Sequence, residues 1–116
     1  MASKRYDPPS RVDKNQPQLV EKFRSLGASV VITSQVGHGY PDLNVCINSH
    51  TVLVECKSAT GKLTKDQETF HASWSGIIWI ARTEDDVEKI VKFYSDLTPL
   101  HAHENKSDHI DSPPIT

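Results

Sequence analysis

The stretch PDLNVCINSHTVLVECK, residues 41–57, predicts two β-strands joined by a tight turn. Residues 42–47 alternate polar and apolar side chains, as a strand with one buried face does. NSH reads as a hairpin turn, and residues 51–57 form the second strand. On that strand Glu55 and Lys57 share one face, because side chains alternate along a strand. The opposite, core-facing side carries Val52, Val54 and Cys56.

A helix and a further strand are predicted before this hairpin. Residues 15–26 place apolar side chains at helical spacing, and Asp13 or Asn15 can cap the start of the helix. Gly27 supplies a left-handed residue after its end. ASVVITSQV follows as a β-branched strand. GHGYP then marks a loop or tight turn, because it contains two glycines and a proline.

Two helices and one strand are predicted after the hairpin. Thr64 opens a helix whose third position is Gln67, which is the spacing of a capping box. GIIWIA, residues 76–81, is a short apolar run of the kind that is buried on both faces of a sheet. Residues 83–97 form a closing helix with acids in its first turn and one apolar stripe. The order α-β-β-β-α-β-α predicts an α/β fold.

Length and composition favour one soluble domain. The chain of 116 residues is long enough for a single modest core, which we place at residues 13–95. Residues 1–12 and 96–116 are rich in proline, serine and charge, and we expect flexible tails. Cys46 and Cys56 lie in apolar strands and do not make a disulfide framework. No apolar run approaches a membrane span, so we expect a cytoplasmic protein without membrane contact. The formal net charge of −2 neither indicates nor excludes a nucleic-acid partner.

Asp42, Glu55 and Lys57 form the candidate catalytic set. If Asp42 begins the partner strand of the hairpin, its carboxylate comes near Glu55, and the two repel unless a cation lies between them. Hard oxygen ligands favour Mg²⁺ or Mn²⁺, and the backbone carbonyl of Cys56 is placed to be a third protein ligand. A coordinated water is then the nucleophile, while Lys57 orients it or stabilises charge on a phosphate. This is the chemistry of phosphodiester hydrolysis.

With these residues identified, VGHGYPDLNV and TVLVECKSATGKLTKDQETF resemble the VRR-NUC branch of the PD-(D/E)xK nuclease superfamily. The resemblance covers residues 13–81. It implies a restriction-endonuclease-like αβββαβ core with a mixed central sheet flanked by helices, here extended by a C-terminal helix. It also implies that Asp42, Glu55, Lys57 and Gln67 are catalytic, with Asp42 and Glu55 as metal ligands.

The resemblance further implies a DNA endonuclease that depends on Mg²⁺ or Mn²⁺ and acts in a bacterial or phage-infected cell. Small stand-alone members resemble phage-type enzymes that dimerise and cut branched DNA, such as four-way Holliday junctions. We therefore expect a homodimer and a branched DNA substrate.

Two glutamines leave the make-up of this site open. Many relatives carry a glutamate on the first helix, and the corresponding position here is Gln16. A glutamine cannot supply anionic ligation, which leaves Gln16 a hydrogen-bonding or water-mediated role, or only that of a helix-start residue. Gln67 is explained equally well by the capping box and by a role in the site.

The residues around this set have two interpretations each. Gly37 and Gly39 would let a substrate backbone approach closely over the turn, and His38 either touches a phosphate or fills the turn. Lys62 and Lys65 flank the neighbouring loop and helix start, where they either contact DNA phosphates or supply solubilising charge.

A second function stays open alongside the endonuclease. The chain could be a catalytically weak or inactive module that keeps the fold and binds DNA or a protein partner. The missing first-helix glutamate favours this alternative, whereas the intact P-D and E-x-K residues argue against it. Activity on RNA or on single strands is not distinguished either, because the catalytic chemistry is indifferent to the sugar.

Overall fold

A four-stranded mixed sheet with helices on both sides forms the centre of the molecule in the computed structural model, which describes residues 13–100. The helices are α1 (Gln16–Ser25), α2 (Lys65–Ser73) and α3 (Glu84–Ser95), and the strands are β1 (Ser29–Ile32), β2 (Leu43–Ile47), β3 (His50–Cys56) and β4 (Ile78–Ala81). The strand order is β1-β2-β3-β4; β1, β2 and β3 pair antiparallel, and β3 pairs parallel with β4. The predicted element order and α/β class are confirmed.

The predicted hairpin is present as β2 and β3. Leu43 pairs with Val54, and Ile47 pairs with His50. The connection consists of two residues, Asn48 and Ser49, at φ values of 51° and 66°. Positive φ at both central residues is typical of the two-residue turn that matches the twist of antiparallel strands. This turn fixes the register, and the register fixes which side chains of β3 face the core.

One face of the sheet packs against α1 and α3. Leu19 and Phe23 of α1 are buried there, as are Val87 and Ile90 of α3. The apolar stripe of α3 is confirmed, and Thr83 and Asp86 form a capping box at its start. β4 is tied to α3 by a 2.8 Å hydrogen bond that the indole of Trp79 donates to the hydroxyl of Tyr94.

The opposite face of the sheet is covered in part by α2. Thr64 accepts a hydrogen bond from the backbone N–H of Gln67, and the Gln67 side chain accepts from the N–H of Thr64, so the predicted capping box is confirmed. None of the nine residues of α2 is buried within the described part of the chain. The helix contacts the sheet through Gln67 and His71, which reach Glu55, and it also packs against the turn at Gly39 and Tyr40.

Three sequence expectations need correction. Residues 76–81 do not form a strand buried on both faces: Ile77 is 59% exposed, and only Ala81 of β4 is buried, because β4 is the last strand of the sheet. The strand predicted in ASVVITSQV covers only Ser29–Ile32. Asn15 lies at the start of α1, but its side chain makes no capping hydrogen bond.

The ordered contacts also extend beyond Ser95, where we placed the end of the folded part. The side-chain amide of Asn48 donates to the carbonyls of Tyr94 and Leu97, and the N–H of Leu100 donates to Ser49. These contacts fasten residues 96–100 to the hairpin turn. The expected tails at residues 1–12 and 101–116 lie outside the described residues. No helix within residues 13–100 has the length and apolarity needed to cross a membrane.

Candidate active site

The carboxyl groups of Asp42 and Glu55 meet beside the hairpin. Because Leu43 pairs with Val54, the residues next to this pair are neighbours across the two strands. Asp42 Oδ2 accepts a 2.8 Å hydrogen bond from the backbone N–H of Cys56, and the Asp42 carbonyl accepts one of 2.7 Å from Thr33. Both the backbone and the side chain of Asp42 are therefore held in place, directly beside Glu55.

Burial makes this pair of acids electrostatically unfavourable as two free carboxylates. Glu55 is fully buried, and desolvation, followed by the nearby charge of Asp42, raises its pKa to about 9. Desolvation also raises the pKa of Asp42, although its hydrogen bond from Cys56 opposes the shift. The interaction between the two carboxyl groups lowers the pKa of Asp42 and raises that of Glu55, so Glu55 is the acid that more readily holds a proton.

Asp13 is a third acid whose charge acts on this pair. It raises the pKa of both Asp42 and Glu55, as the smallest of the five contributions in each case. From the sequence we assigned Asp13 only to capping α1. Its backbone carbonyl instead accepts a hydrogen bond from the N–H of Gln16, in the turn that precedes the helix. The negative charge beside the site thus exceeds that of the two strand residues.

Lys57 is the cation of the site. The residue is 8% exposed, and its charge lowers the pKa of both Asp42 and Glu55. Its backbone N–H donates to the carbonyl of Ala81, and its carbonyl accepts a 3.0 Å hydrogen bond from the side-chain amide of Asn15. Lys57 offsets part of the negative charge of Asp42 and Glu55.

The backbone of Cys56 faces Asp42. In a strand, the N–H and C=O of one residue point to the same side, and the N–H of Cys56 donates to Asp42. The Cys56 carbonyl is therefore directed to the side on which Asp42 lies, where we predicted it as a metal ligand. Its thiol is buried, and desolvation raises the thiol pKa, so the cysteine is a core residue rather than a nucleophile. Cys46 and Cys56 are both free.

Two side chains of α2 hold the two oxygens of Glu55. Gln67 donates from Nε2 to Oε2 over 2.9 Å, and His71 Nε2 lies 3.2 Å from Oε1. Desolvation, and then the charge of Lys57, lowers the pKa of His71, which favours the neutral ring. Gln67 thus serves the capping box and the site at once. The sequence analysis missed His71, although its position four residues after Gln67 places both on one helix face.

Gln16 lies beside the site without joining the pair of acids. It is 5% exposed, and its Nε2 donates to the hydroxyl of Ser34 over 3.0 Å. Its Oε1 is buried and has no hydrogen-bond partner among residues 13–100. A buried amide oxygen of this kind can accept a hydrogen bond from a water or a ligand, and among residues 13–100 Gln16 makes no hydrogen bond to either carboxylate.

The turn before Asp42 is held by α2. Gly37, His38 and Gly39 all have positive φ, and a Cβ atom at Gly39 would lie 2.2 Å from the carbonyl oxygen of Asp66. The backbone that approaches Gly39 is therefore that of α2, while nothing lies within 4 Å of a Cβ atom at Gly37. His38 is exposed at the tip of the turn. The side chains of Lys62 and Lys65 are exposed on the loop and at the start of α2.

The donor set suits a hard divalent cation that keeps most of its waters. Within residues 13–100, no three histidine, cysteine, aspartate or glutamate side chains are arranged to enclose a metal ion. Asp42 and Glu55 with one backbone carbonyl would be a partial oxygen set, and Mg²⁺ is commonly bound by one or two carboxylates and several waters. The close approach of Asp42 to the buried Glu55 fits such a cation on grounds of charge.

Comparisons with known proteins add no identification. The chain matches no protein-family model, no curated protein and no solved structure.

Proposed function

We propose that this protein is an endonuclease that hydrolyses phosphodiester bonds in DNA and depends on Mg²⁺ or Mn²⁺. The observation that carries the proposal is the half-buried Asp42 beside the fully buried Glu55, with the buried Lys57 next to them. Two carboxylates withdrawn from water are costly unless they are protonated, paired or bind a metal. A function that supplies a divalent cation would explain why two acids lie side by side at one end of the sheet.

Asp42, Glu55 and the carbonyl of Cys56 would hold the metal. When bound, Mg²⁺ or Mn²⁺ supplies a Lewis acid and lowers the pKa of a coordinated water. Glu55 has to lose its proton for this, and the hydrogen bond from Gln67 stabilises the ionised form. Lys57 would stabilise the negative charge that builds on a phosphate oxygen during attack.

The fold family, the DNA substrate and the oligomeric state are part of the same proposal. The P-D and E-x-K residues, the mixed sheet and the helix that carries Gln67 support a restriction-endonuclease-like fold of the VRR-NUC type. We propose branched DNA as the substrate and a homodimer as the active form, because two strands require two sites. Lys62 and Lys65 would contact phosphates next to the metal site.

Cleavage of a panel of DNA structures tests the proposal. Linear, flapped and four-way DNA are incubated with the protein and Mg²⁺ or Mn²⁺. We expect cleavage that falls by about 10² or more in Asp42→Asn and in Lys57→Ala. Asp85→Asn and Lys89→Ala are matched controls, because these exposed residues lie on α3, across the sheet from α2. No cleavage with either metal, or equal losses in the controls, would overturn the proposal.

A binding module without catalysis is the alternative, and one observation favours it. Gln16 stands where relatives of the resembled family carry a glutamate, and its side chain donates to Ser34 rather than to Asp42 or Glu55. In that case DNA binding would show no dependence on the divalent cation, and Glu55→Gln would bind as well as the wild type.

A further inference from the structure

Asn15 joins three separate segments at the edge of the candidate site. Its side-chain Nδ2 donates one 3.0 Å hydrogen bond to the carbonyl of Lys57 and another of 3.0 Å to the carbonyl of Arg82. Lys57 follows β3, Arg82 follows β4, and Asn15 precedes α1. A single amide thus holds together the ends of the parallel strand pair and the start of the first helix.

Asn15 does this at the expense of its ordinary local role. An asparagine before a helix normally caps it with the side-chain oxygen. Here the residue has helical φ and ψ values of −85° and −3°, and the side chain makes no capping bond. Its Oδ1 is buried without a partner among residues 13–100. Residues that break a local rule are concentrated at functional sites, so these two losses direct attention to the groups that Asn15 binds.

Of the two residues that accept a hydrogen bond from Asn15, we consider Lys57, because both the N–H and the C=O of its backbone are hydrogen-bonded. The N–H donates to Ala81, and the carbonyl accepts from Asn15. Both bonds lie on the β4 side of the strand, as expected for the N–H and C=O of one residue. The direction of the Lys57 side chain follows from this backbone, and β3 itself ends one residue earlier, at Cys56.

We infer that Asn15 is a positioning residue for Lys57: it holds the residue that follows the end of β3 so that the ammonium group stays beside Asp42 and Glu55. The consequence for catalysis rests on the proposed function. The consequence for the accessibility of Lys57 does not, and it is measurable without metal or DNA.

Asn48 provides a matched control within the same chain. Its Nδ2 also donates to two backbone carbonyls, those of Tyr94 and Leu97, over 2.9 Å and 2.8 Å. It lies in the hairpin turn at the opposite end of β3, about 30 Å along the chain from Lys57. Asn48 has positive φ, which aspartate tolerates, so Asn→Asp removes both donors at either position without a change of shape.

The first experiment measures acylation of lysines by an amine-directed reagent, read by mass spectrometry. Labelling of Lys57 is divided by labelling of Lys89, an exposed reference on α3. We expect Asn15→Ala to raise this ratio about two- to tenfold, the effect of losing one hydrogen bond. Asn15→Asp should raise it less, because the added carboxylate favours the charged ammonium, which does not react. Asn48→Asp should leave it unchanged. An unchanged ratio in both Asn15 variants, or an equal rise in Asn48→Asp, would overturn the inference.

The second experiment follows cleavage. We expect Asn15→Ala to lower kcat about tenfold at constant KM, and to have no further effect in a Lys57→Ala background measured at high enzyme concentration. Asn15→Ala removes the donor alone, whereas Asn15→Asp removes the donor and adds an anion to the site. The difference between the two variants is therefore the effect of the added charge. Additive losses in the double variant would overturn the inference while leaving the nuclease proposal intact. A wild-type protein that labels as expected but cuts nothing would overturn the nuclease proposal alone.

Discussion

Glu55 and Gln67 are joined by a 2.9 Å hydrogen bond from the glutamine Nε2 to the glutamate Oε2, and the same glutamine caps α2 through its Oε1. The geometry of the helix start and that of the site are therefore not independent. A substitution of Gln67 can keep the cap of α2 while it removes the hydrogen bond to Glu55, so mutation can separate the two roles.

Gln67→Glu should retain the capping box and disturb the site. Glutamate is the usual partner residue of the box, but its carboxylate cannot donate to Glu55 and would repel it. We expect little change in the free energy of unfolding and a loss of metal affinity or cleavage of about 10- to 100-fold. Metal affinity is measured by titration with Mn²⁺, and stability by urea denaturation.

Thr64→Ala should give the opposite result. It removes the cap and leaves the Gln67 side chain free to bind Glu55, so we expect about 1 kcal/mol of lost stability and an unchanged metal affinity. If Gln67→Glu binds metal as the wild type does, the hydrogen bond to Glu55 has no part in the site.

Gly39→Ala should displace α2, whereas Gly37→Ala should not. Both glycines have positive φ, so each alanine meets backbone strain of about 1–2 kcal/mol. At Gly39 the new Cβ would also lie 2.2 Å from the Asp66 carbonyl, which belongs to the backbone of α2. We expect a total loss of more than about 3 kcal/mol for Gly39→Ala. Urea denaturation of both variants checks the difference, and equal losses would show that the turn and the helix are not packed together.

The sequence was sufficient for the elements whose pattern is local. The alternation of residues 42–47 and the apolar stripe of α3 each match one periodicity, and the predicted capping box of Thr64 and Gln67 spans only four residues. Because the hairpin turn sets the register, even the meeting of Asp42 and Glu55 could be expected from the sequence, although their catalytic role stays a prediction.

The features that the sequence does not reveal depend on neighbours that are distant along the chain. An apolar run such as residues 76–81 does not reveal whether its strand is central or at the edge of the sheet, and β4 is at the edge. Asn15 reads as a helix cap until its carbonyl partners, 42 and 67 residues away, are known. The contact of His71 with Glu55 follows from the position of α2 over the sheet, which the sequence does not give.

Arg82→Lys should loosen the loop that carries Lys62. Nη1 of Arg82 donates to the carbonyls of Ser58 and Gly61 over 2.6 Å and 2.8 Å, and a lysine lacks the rigid guanidinium plane that directs this nitrogen at both oxygens. If Lys62 contacts a phosphate, we expect Arg82→Lys and Lys62→Ala to weaken DNA binding and to lower the slope of log Kd against log salt concentration by about 1. Lys92→Ala, an exposed residue on α3, is the control. Unchanged slopes would remove Lys62 from the DNA contact.

Stability of the metal-free protein should fall as pH rises. The pKa of Glu55 is raised from an ordinary 4.5 to about 9, so the folded state holds a proton that the unfolded state has lost. This contribution is fully present below about pH 4.5 and disappears as pH approaches 9, with a slope of at most about 1.4 kcal/mol per pH unit. His71 adds little to the slope above about pH 7.5, because its pKa is lowered in the fold and the ring is then neutral in both states. Near pH 6.5 the unfolded ring is still partly charged, so His71 there opposes the decline.

Urea denaturation in EDTA at pH 6.5, 7.5 and 8.5 measures this slope. Glu55→Gln cannot ionise at this position, so its stability should be nearly flat where that of the wild type declines, and His71→Asn should decline with the wild type. Mg²⁺ or Mn²⁺ competes with the proton, and the stabilisation that either ion gives should therefore be larger at pH 8.5 than at pH 6.5. Parallel curves for wild type and Glu55→Gln would show that Glu55 is ionised in the metal-free fold, and the charge argument for a bound cation would then lose its basis.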